Sequence, residues 1–180
     1  MNICVFCGSS TGHNPEYAIA ARKLADLLIS KKCSLVYGGG NIGLMGVIAD
    51  QMIVGGAEVI GIIPEFLMQR EVGHAGLTSL EVVPSMHERK KRMADLADVF
   101  IAMPGGMGTL EELGEILTWK QLGLVTAPVG LLNINGFFDP LLKQLDLMTQ
   151  EGFLRSENRS ELKTSNNPSE LLTLLGVLTV

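Results

Sequence analysis

Short apolar runs alternate along this chain with longer stretches in which apolar positions recur at a helical period, and each run closes on glycine, proline or serine. Runs of this length, bounded by turn formers, read as buried strands, and the periodic stretches read as helices with one apolar stripe. The predicted strands are Ile3–Cys7, Leu35–Tyr37, Val59–Ile63, Leu80–Val83, Val99–Met103 and Val129–Leu132. The predicted helices are Pro15–Ser30, Leu44–Val54, Met86–Leu96, Leu110–Leu122 and Pro140–Thr149, with a last one near Ser169–Leu175. Strands joined by helical crossovers build a parallel sheet, so the expected fold class is α/β, doubly wound, with a mainly parallel sheet and helices on both faces. Such sheets bind ligands beyond the carboxyl ends of their strands, where the strand order reverses. The longest segment without clear periodicity, Pro64–Ser79, carries Glu71 and His74 and reads either as a lid or pocket wall or as a plain surface loop.

Composition narrows the class. A chain of 180 residues is long enough for one domain with its own core, and residues 1–180 are read as a single domain. It is 47% hydrophobic and only 18% charged. That excess points to apolar surface beyond one core, such as a subunit interface. No uninterrupted apolar run reaches spanning length, and the first residues run straight into a strand without a basic leader, so a cytoplasmic location is expected. A net charge of −5 lacks the basic footprint that nucleic-acid binding requires. Cys4, Cys7 and Cys33 form no disulfide framework. Cys4 and Cys7 make a C-x-x-C inside an apolar run, which suits burial better than redox chemistry. His13, His74 and His87 are scattered, and neither a metal site nor a resident cofactor is expected.

Candidate chemistry gathers at strand ends. Three loops are rich in glycine or small residues: Cys7–Ser10, Gly38–Gly46 and Pro104–Thr109. Glycine lets a backbone approach a ligand and aim its N–H groups, and a following helix adds the positive end of its dipole, so the three together suggest an anion pocket. Gly38 to Gly43 also fit G-x-G-x-x-G, but the acidic partner expected at the end of the next strand is missing, since Glu58 precedes that strand and Glu65 follows it. A nicotinamide or flavin cofactor is therefore the lesser reading, and no P-loop motif is present. The basic segment from His87 to Arg92 lies on a predicted helix, where Arg89, Arg92 and Met93 share a face and Lys91 points elsewhere. Such a segment is either a solvated face or a means of placing Arg89 beside the phosphate loop. Glu111 and Glu112 fall in the first turn after the second glycine loop, where carboxylates are common for dipole reasons. Their address also suits them to reach a ribose, where cleavage of an N-glycosidic bond builds oxocarbenium character.

The stretch SMHERKKRMADLADVFIAMPGGMGTLEELGEILTW resembles the paired signature of the LONELY GUY family, cytokinin riboside 5'-monophosphate phosphoribohydrolases and their bacterial relatives. The likeness runs from FCGSS through GGGNIGLMG to PVGLLNINGFFDPLL and weakens after about Glu151. It implies a Rossmann-like fold and a homodimer whose active sites lie near the interface, acting on a small nucleoside monophosphate with no cofactor. It implies catalytic roles for Arg89 and Glu112 and substrate contacts from Glu71, Lys90, Thr118 and the loop Gly105, Gly106, Met107, Gly108, Thr109, Leu110, Glu111 and Glu112. Gly39 and Gly40 of the first glycine-rich loop join these as expected binding residues. Met107 stands where plant members often have tyrosine.

Relatives have also carried the label lysine decarboxylase. None of the lysines stands in a context recognisable for pyridoxal phosphate, which argues against that chemistry. The expected activity is hydrolysis of a nucleoside 5'-monophosphate, AMP or an N6-substituted AMP, to base and ribose 5-phosphate. The alternatives are a broader purine or pyrimidine monophosphate nucleosidase, or a non-catalytic nucleotide or cofactor carrier of the same fold.

Overall fold

The computed structural model describes residues 1–71 and 73–178, without the side chains of residues 69–71. Strands β1 (Asn2–Phe6), β2 (Ser34–Tyr37), β3 (Val59–Pro64), β4 (Ser79–Val83), β5 (Val99–Ala102), β6 (Val129–Leu132) and β7 (Leu162–Ser165) form one sheet in the order β4-β3-β2-β1-β5-β6-β7. Every pairing is parallel. The helices are α1 (Glu16–Ser30), α2 (Gly43–Val54), α3 (Glu65–Glu71), α4 (Met86–Leu96), α5 (Met107–Gln121), α6 (Asp139–Gln150), α7 (Ser156–Ser160) and α8 (Pro168–Leu174).

The alternation of side chains along each strand divides the core into two layers. Ile3, Val5, Leu35, Tyr37, Val99 and Ile101 face α1, α2 and α8, where Leu24, Leu28, Ile48, Met52 and Leu171 complete the packing. Cys4, Phe6, Val36, Phe100 and Ala102 face the other way, against Met93 of α4, Leu113 and Ile116 of α5, and the apolar stripe of α6. Cys4 and Cys7 are three residues apart and therefore lie on opposite faces of the sheet, both buried and free.

The doubly wound class is as expected, with local differences that include α7, a five-residue helix that was not anticipated. β7 was not anticipated: its sequence, LKTS, contains no apolar run, because an edge strand buries only part of its surface. The segment Pro64–Ser79 is not a continuous loop but holds α3, a helix too short to show a period in sequence. α5 starts at Met107, three residues before the predicted Leu110, since the first helical turn accepts Gly108 at little cost.

Strand order reverses at β1, whose neighbours are β2 and β5. The chain leaves β1 toward α1 on one face and leaves β5 toward α5 on the other, which opens a crevice between the two loops. Among the described residues no helix is long and apolar enough to cross a membrane.

Candidate active site

Three strand-end loops meet at this crevice. Gly8 N–H donates to Pro104 O at 3.1 Å, joining the β1 and β5 loops, and Leu44 N–H donates to Gly8 O at 3.0 Å, joining the β2 loop to them. Gly43 has φ +64°, and a Cβ there would stand 2.2 Å from the carbonyl carbon of Ser9. The last glycine of the G-x-G-x-x-G match thus serves packing of α2 on the β1 loop. Its helix N-terminus is occupied by a protein carbonyl rather than turned to a pyrophosphate, which is why the dinucleotide reading fails here.

The N-terminus of α5 is different. Its N-cap is Gly106, which offers no side-chain cap to the first-turn N–H groups. No atom lies within 4 Å of a Cβ built on Gly106 or Gly108, so this turn faces open space. That space is a cavity of about 190 Å³ lined by Cys7, Ser9, Gly38, Arg89, Thr109 and Glu112 among others. Gly105 closes the loop from behind, where a Cβ would stand 2.1 Å from Thr109 Oγ1.

Arg89 comes from α4 and Glu112 from α5, and both are buried. Arg89 Nε donates to Ile62 O at 3.1 Å and Nη2 to Gly38 O at 3.3 Å, so the ends of β3 and β2 hold two edges of the guanidinium. Nη1 lies 3.8 Å from Glu112 Oε1 and 3.7 Å from Met86 Sδ. A buried ion pair is weak as a source of stability, because the desolvation of both ions offsets most of their attraction. A pair of this kind on a cavity wall is better explained by chemistry. Burial, and then the Glu112 carboxylate, push the Cys7 thiol far above its ordinary range. Cys4 is raised by the same two causes in the same order, so neither thiol is a nucleophile at neutral pH.

The expected site residues Lys90, Gly39, Gly40, Leu110, Glu111 and Thr118 do not line this cavity. Lys90 is turned from the cavity to Glu111 and Glu115, at 2.5 and 3.2 Å. Partial burial lowers its pKa and the hydrogen bonds to Glu111 and Glu115 raise it; the bonds prevail and keep the ammonium charged. Gly39 and Gly40 lie behind the β2 loop, where Gly39 O accepts from His74 N–H and Gly40 bridges Gly73. Leu110 is exposed on α5. Thr118 lines a different concavity of about 590 Å³, formed with Leu117, Gln121, Leu145 and Met148. The side chain of Glu71 lies outside the described residues. Of the shared face expected on α4, Arg89 and Met93 turn inward while Arg92 pairs with Glu81 at 2.7 Å, and Lys91 pairs with Asp95. Cys7, Ser9, Gly38 and Met45 line the cavity without having been singled out as site residues. Their strand-end position in small-residue loops was the available signal.

The model of the family described as "Possible lysine decarboxylase" matches residues 45–175. A cytokinin riboside 5'-monophosphate phosphoribohydrolase of Arabidopsis thaliana is 49% identical over 173 residues, 96% of this chain and 81% of that one. A probable enzyme of the same name from Oryza sativa is 47% identical over 170 residues, 94% of this chain and 76% of that one. The chain belongs to the LONELY GUY family. Among solved structures, the molybdenum cofactor binding protein of Rippkaea orientalis superposes with a TM-score of 0.72 over 97% of this chain and 94% of that one, at 22% identity. That likeness is one of fold.

The decarboxylase description does not fit this LONELY GUY member's cavity. A Schiff base with pyridoxal phosphate needs a neutral lysine amine facing the cofactor. Among the described residues no lysine lines the cavity, and Lys90, the neighbour of Arg89, is held protonated by two carboxylates.

Proposed function

We propose that the protein hydrolyses the N-glycosidic bond of a nucleoside 5'-monophosphate, AMP or an N6-substituted AMP, to free base and ribose 5-phosphate. The observation that carries this reading is the buried Arg89–Glu112 pair on the wall of a cavity that is also lined by the N-terminal turn of α5, which has no side-chain cap. The identity to cytokinin riboside 5'-monophosphate phosphoribohydrolases supports the same reaction. The 5'-phosphate sits against the N–H groups of the Gly105–Thr109 turn, where dipole and donors both favour an anion. Glu112 then faces the ribose. As the C1'–N bond breaks, its carboxylate stabilises the oxocarbenium charge and takes a proton from the attacking water; the water oxygen bonds to C1', and that proton is passed on to the departing base, which restores the carboxylate. Arg89, held by Ile62 O and Gly38 O, orients the carboxylate and adds positive charge near the phosphate. Met107, exposed at the mouth between Gly106 and Gly108, forms a wall toward the base.

The reading extends to the assembly. Residues 1–180 act as one nucleotide-binding domain in the cytoplasm, as a homodimer. Leu117, Leu145, Met148 and Leu154 line an apolar concavity on the α5–α6 face, and exposed Leu122, Leu124, Leu147 and Phe153 neighbour its lining residues in sequence, the kind of surface that a second copy covers. Thr118 belongs to that face, so any contact it makes with substrate is with the substrate of the second copy.

The test is a panel of AMP, N6-isopentenyl-AMP, adenosine, other purine and pyrimidine monophosphates and lysine, assayed for free base, ribose 5-phosphate and carbon dioxide. The monophosphates are expected to be cleaved without added metal and adenosine poorly, because remote phosphate binding lowers the barrier at the ribose. Glu112→Gln should lower turnover about 10²–10⁴-fold with AMP affinity retained. Arg89→Lys should impair both binding and rate, and Lys91→Gln neither. Equal rates on adenosine and AMP, or full turnover by Glu112→Gln, would refute the assignment. Tight nucleotide binding with no cleavage of any monophosphate would favour the carrier alternative.

A further inference from the structure

We infer that Glu115, acting through Lys90 together with Glu111, is a positioning residue that aims Glu112 at Arg89; the inference rests on the hydrolase reading of that site. Neighbouring residues of α4 meet α5 at two depths. Inside, Arg89 Nη1 approaches Glu112 Oε1 at 3.8 Å. Nearer the surface, Lys90 Nζ donates to Glu111 Oε1 at 2.5 Å and to Glu115 Oε1 at 3.2 Å.

Glu111 and Glu115 stand one turn apart on the same stripe of α5, so a single ammonium ties two successive turns of that helix to α4. A contact made off the axis resists rotation of the helix about it, and one shared by two turns of a stripe resists tilting as well. Glu112 follows Glu111 at about 100° around the helix. The roll fixed by the Lys90 bridge therefore sets the direction in which the Glu112 carboxylate points. The Lys90 side chain is only 14% exposed and that of Glu115 21%, so this bridge is less screened than a surface pair.

The bridge also explains why Lys90 adjoins Arg89 in sequence yet is absent from the cavity wall. Consecutive residues on a helix diverge by the same angle, which sends Arg89 inward and Lys90 toward the α5 stripe. The ammonium also offsets two carboxylates in the second and third turns of a helix whose N-terminus is the proposed anion site.

The experiment compares AMP hydrolysis by the wild type, Glu115→Gln, Lys90→Met, Lys90→Arg and the double variant Lys90→Met/Glu115→Gln, with iodoacetamide labelling of Cys7 in the folded proteins followed by mass spectrometry. Cys7 lines the cavity beside Glu112 and is held protonated by burial, so it labels only as the packing around it loosens, which reports movement of α5 without requiring turnover. Glu115→Gln is expected to lower kcat about 10-fold or more, as sub-ångström misplacement of a reacting group does, with KM within about 2-fold of wild type. Lys90→Arg should keep most of the activity, the double variant should be no worse than Lys90→Met, and Cys7 should label faster in Glu115→Gln. Wild-type kcat and labelling in Glu115→Gln would overturn the inference. A raised KM with unchanged kcat in Lys90→Met would also overturn it, by making Lys90 a substrate ligand. If the wild type cleaves no monophosphate, the hydrolase reading fails, and the labelling alone decides whether Glu115 holds α5 in place.

Discussion

A methyl group on Gly38 would stand 2.0 Å from Nη2 of Arg89 and 3.1 Å from the sulfur of Met45. The missing side chain is therefore the space that the guanidinium occupies, and the carbonyl of the same residue is one of its acceptors. Gly38→Ala is compatible with the backbone, because Gly38 is not among the residues with positive φ, so the guanidinium rather than the chain must move. We expect AMP hydrolysis to fall about 10²-fold in a protein that stays folded, the usual consequence of displacing a catalytic group by about 1 Å. Circular dichroism beside the hydrolysis assay checks this, and full activity in Gly38→Ala would show that the anchoring of Arg89 by the β2 end is dispensable. From sequence, Gly38 was only the first glycine of a loop. No local pattern reveals that a glycine makes room for a side chain 51 residues away, since that vacancy exists only once α4 lies over β2 and β3.

At the scale of elements, α4 shows what local chemistry settles. Ser85 precedes the first helical residue, and its Oγ accepts from Glu88 N–H at 3.2 Å, an N-cap that the order of residue types announces. The predicted bounds Met86–Leu96 agree with the observed helix, whose start this cap fixes. Ser85→Ala should cost about 0.5–2 kcal/mol. In a chain of 180 residues that corresponds to a fall in Tm of roughly 2–4 °C per kcal/mol, measurable by calorimetry. Because the cap lies one turn before Arg89, fraying there should also lower turnover at temperatures well below unfolding. An unchanged Tm would mean that packing of Met93 alone sets the start of the helix. α3 and β7 lacked comparable signals: a seven-residue helix spans barely two periods, and an edge strand with Lys163 and Thr164 at its centre is not apolar enough to stand out.

For the whole molecule, the composition and the surface tell one story. The chain has a mean hydropathy of +0.31, and part of the excess stands exposed as Leu122 (65%), Leu124 (70%) and Phe153 (83%) near the α5–α6 face. The proposed dimer should elute with light scattering at twice the chain mass of 19.3 kDa. Met148→Asp would place a charge in the apolar concavity of that face and should shift the equilibrium toward monomer. A monomeric wild type at micromolar concentration would remove the dimer, and a dimer unaffected by Met148→Asp would move its interface to another surface.

The alternation of apolar runs and amphipathic stretches by itself determined the class of sheet, because strand and helix periods are local properties and parallel crossovers follow from them. It also placed the glycine loops at the carboxyl ends of adjacent strands and Arg89 in the first turn of a helix, whereas Glu112, expected in the first turn after its loop, falls in the second because α5 starts at Met107. Tertiary structure alone decided which helix N-terminus stays open. α2 and α5 both follow glycine-rich loops, but the first is closed by Gly8 O and the second faces the cavity, a difference set by which loops touch. It likewise decided that Lys90 bridges to Glu111 and Glu115 while its neighbour Arg89 enters the core, and that Thr118 stands on another face from Glu112. Spacing along one helix gives the angle between two side chains, but what each side chain meets depends on the element packed opposite, which the chain supplies from far away in sequence.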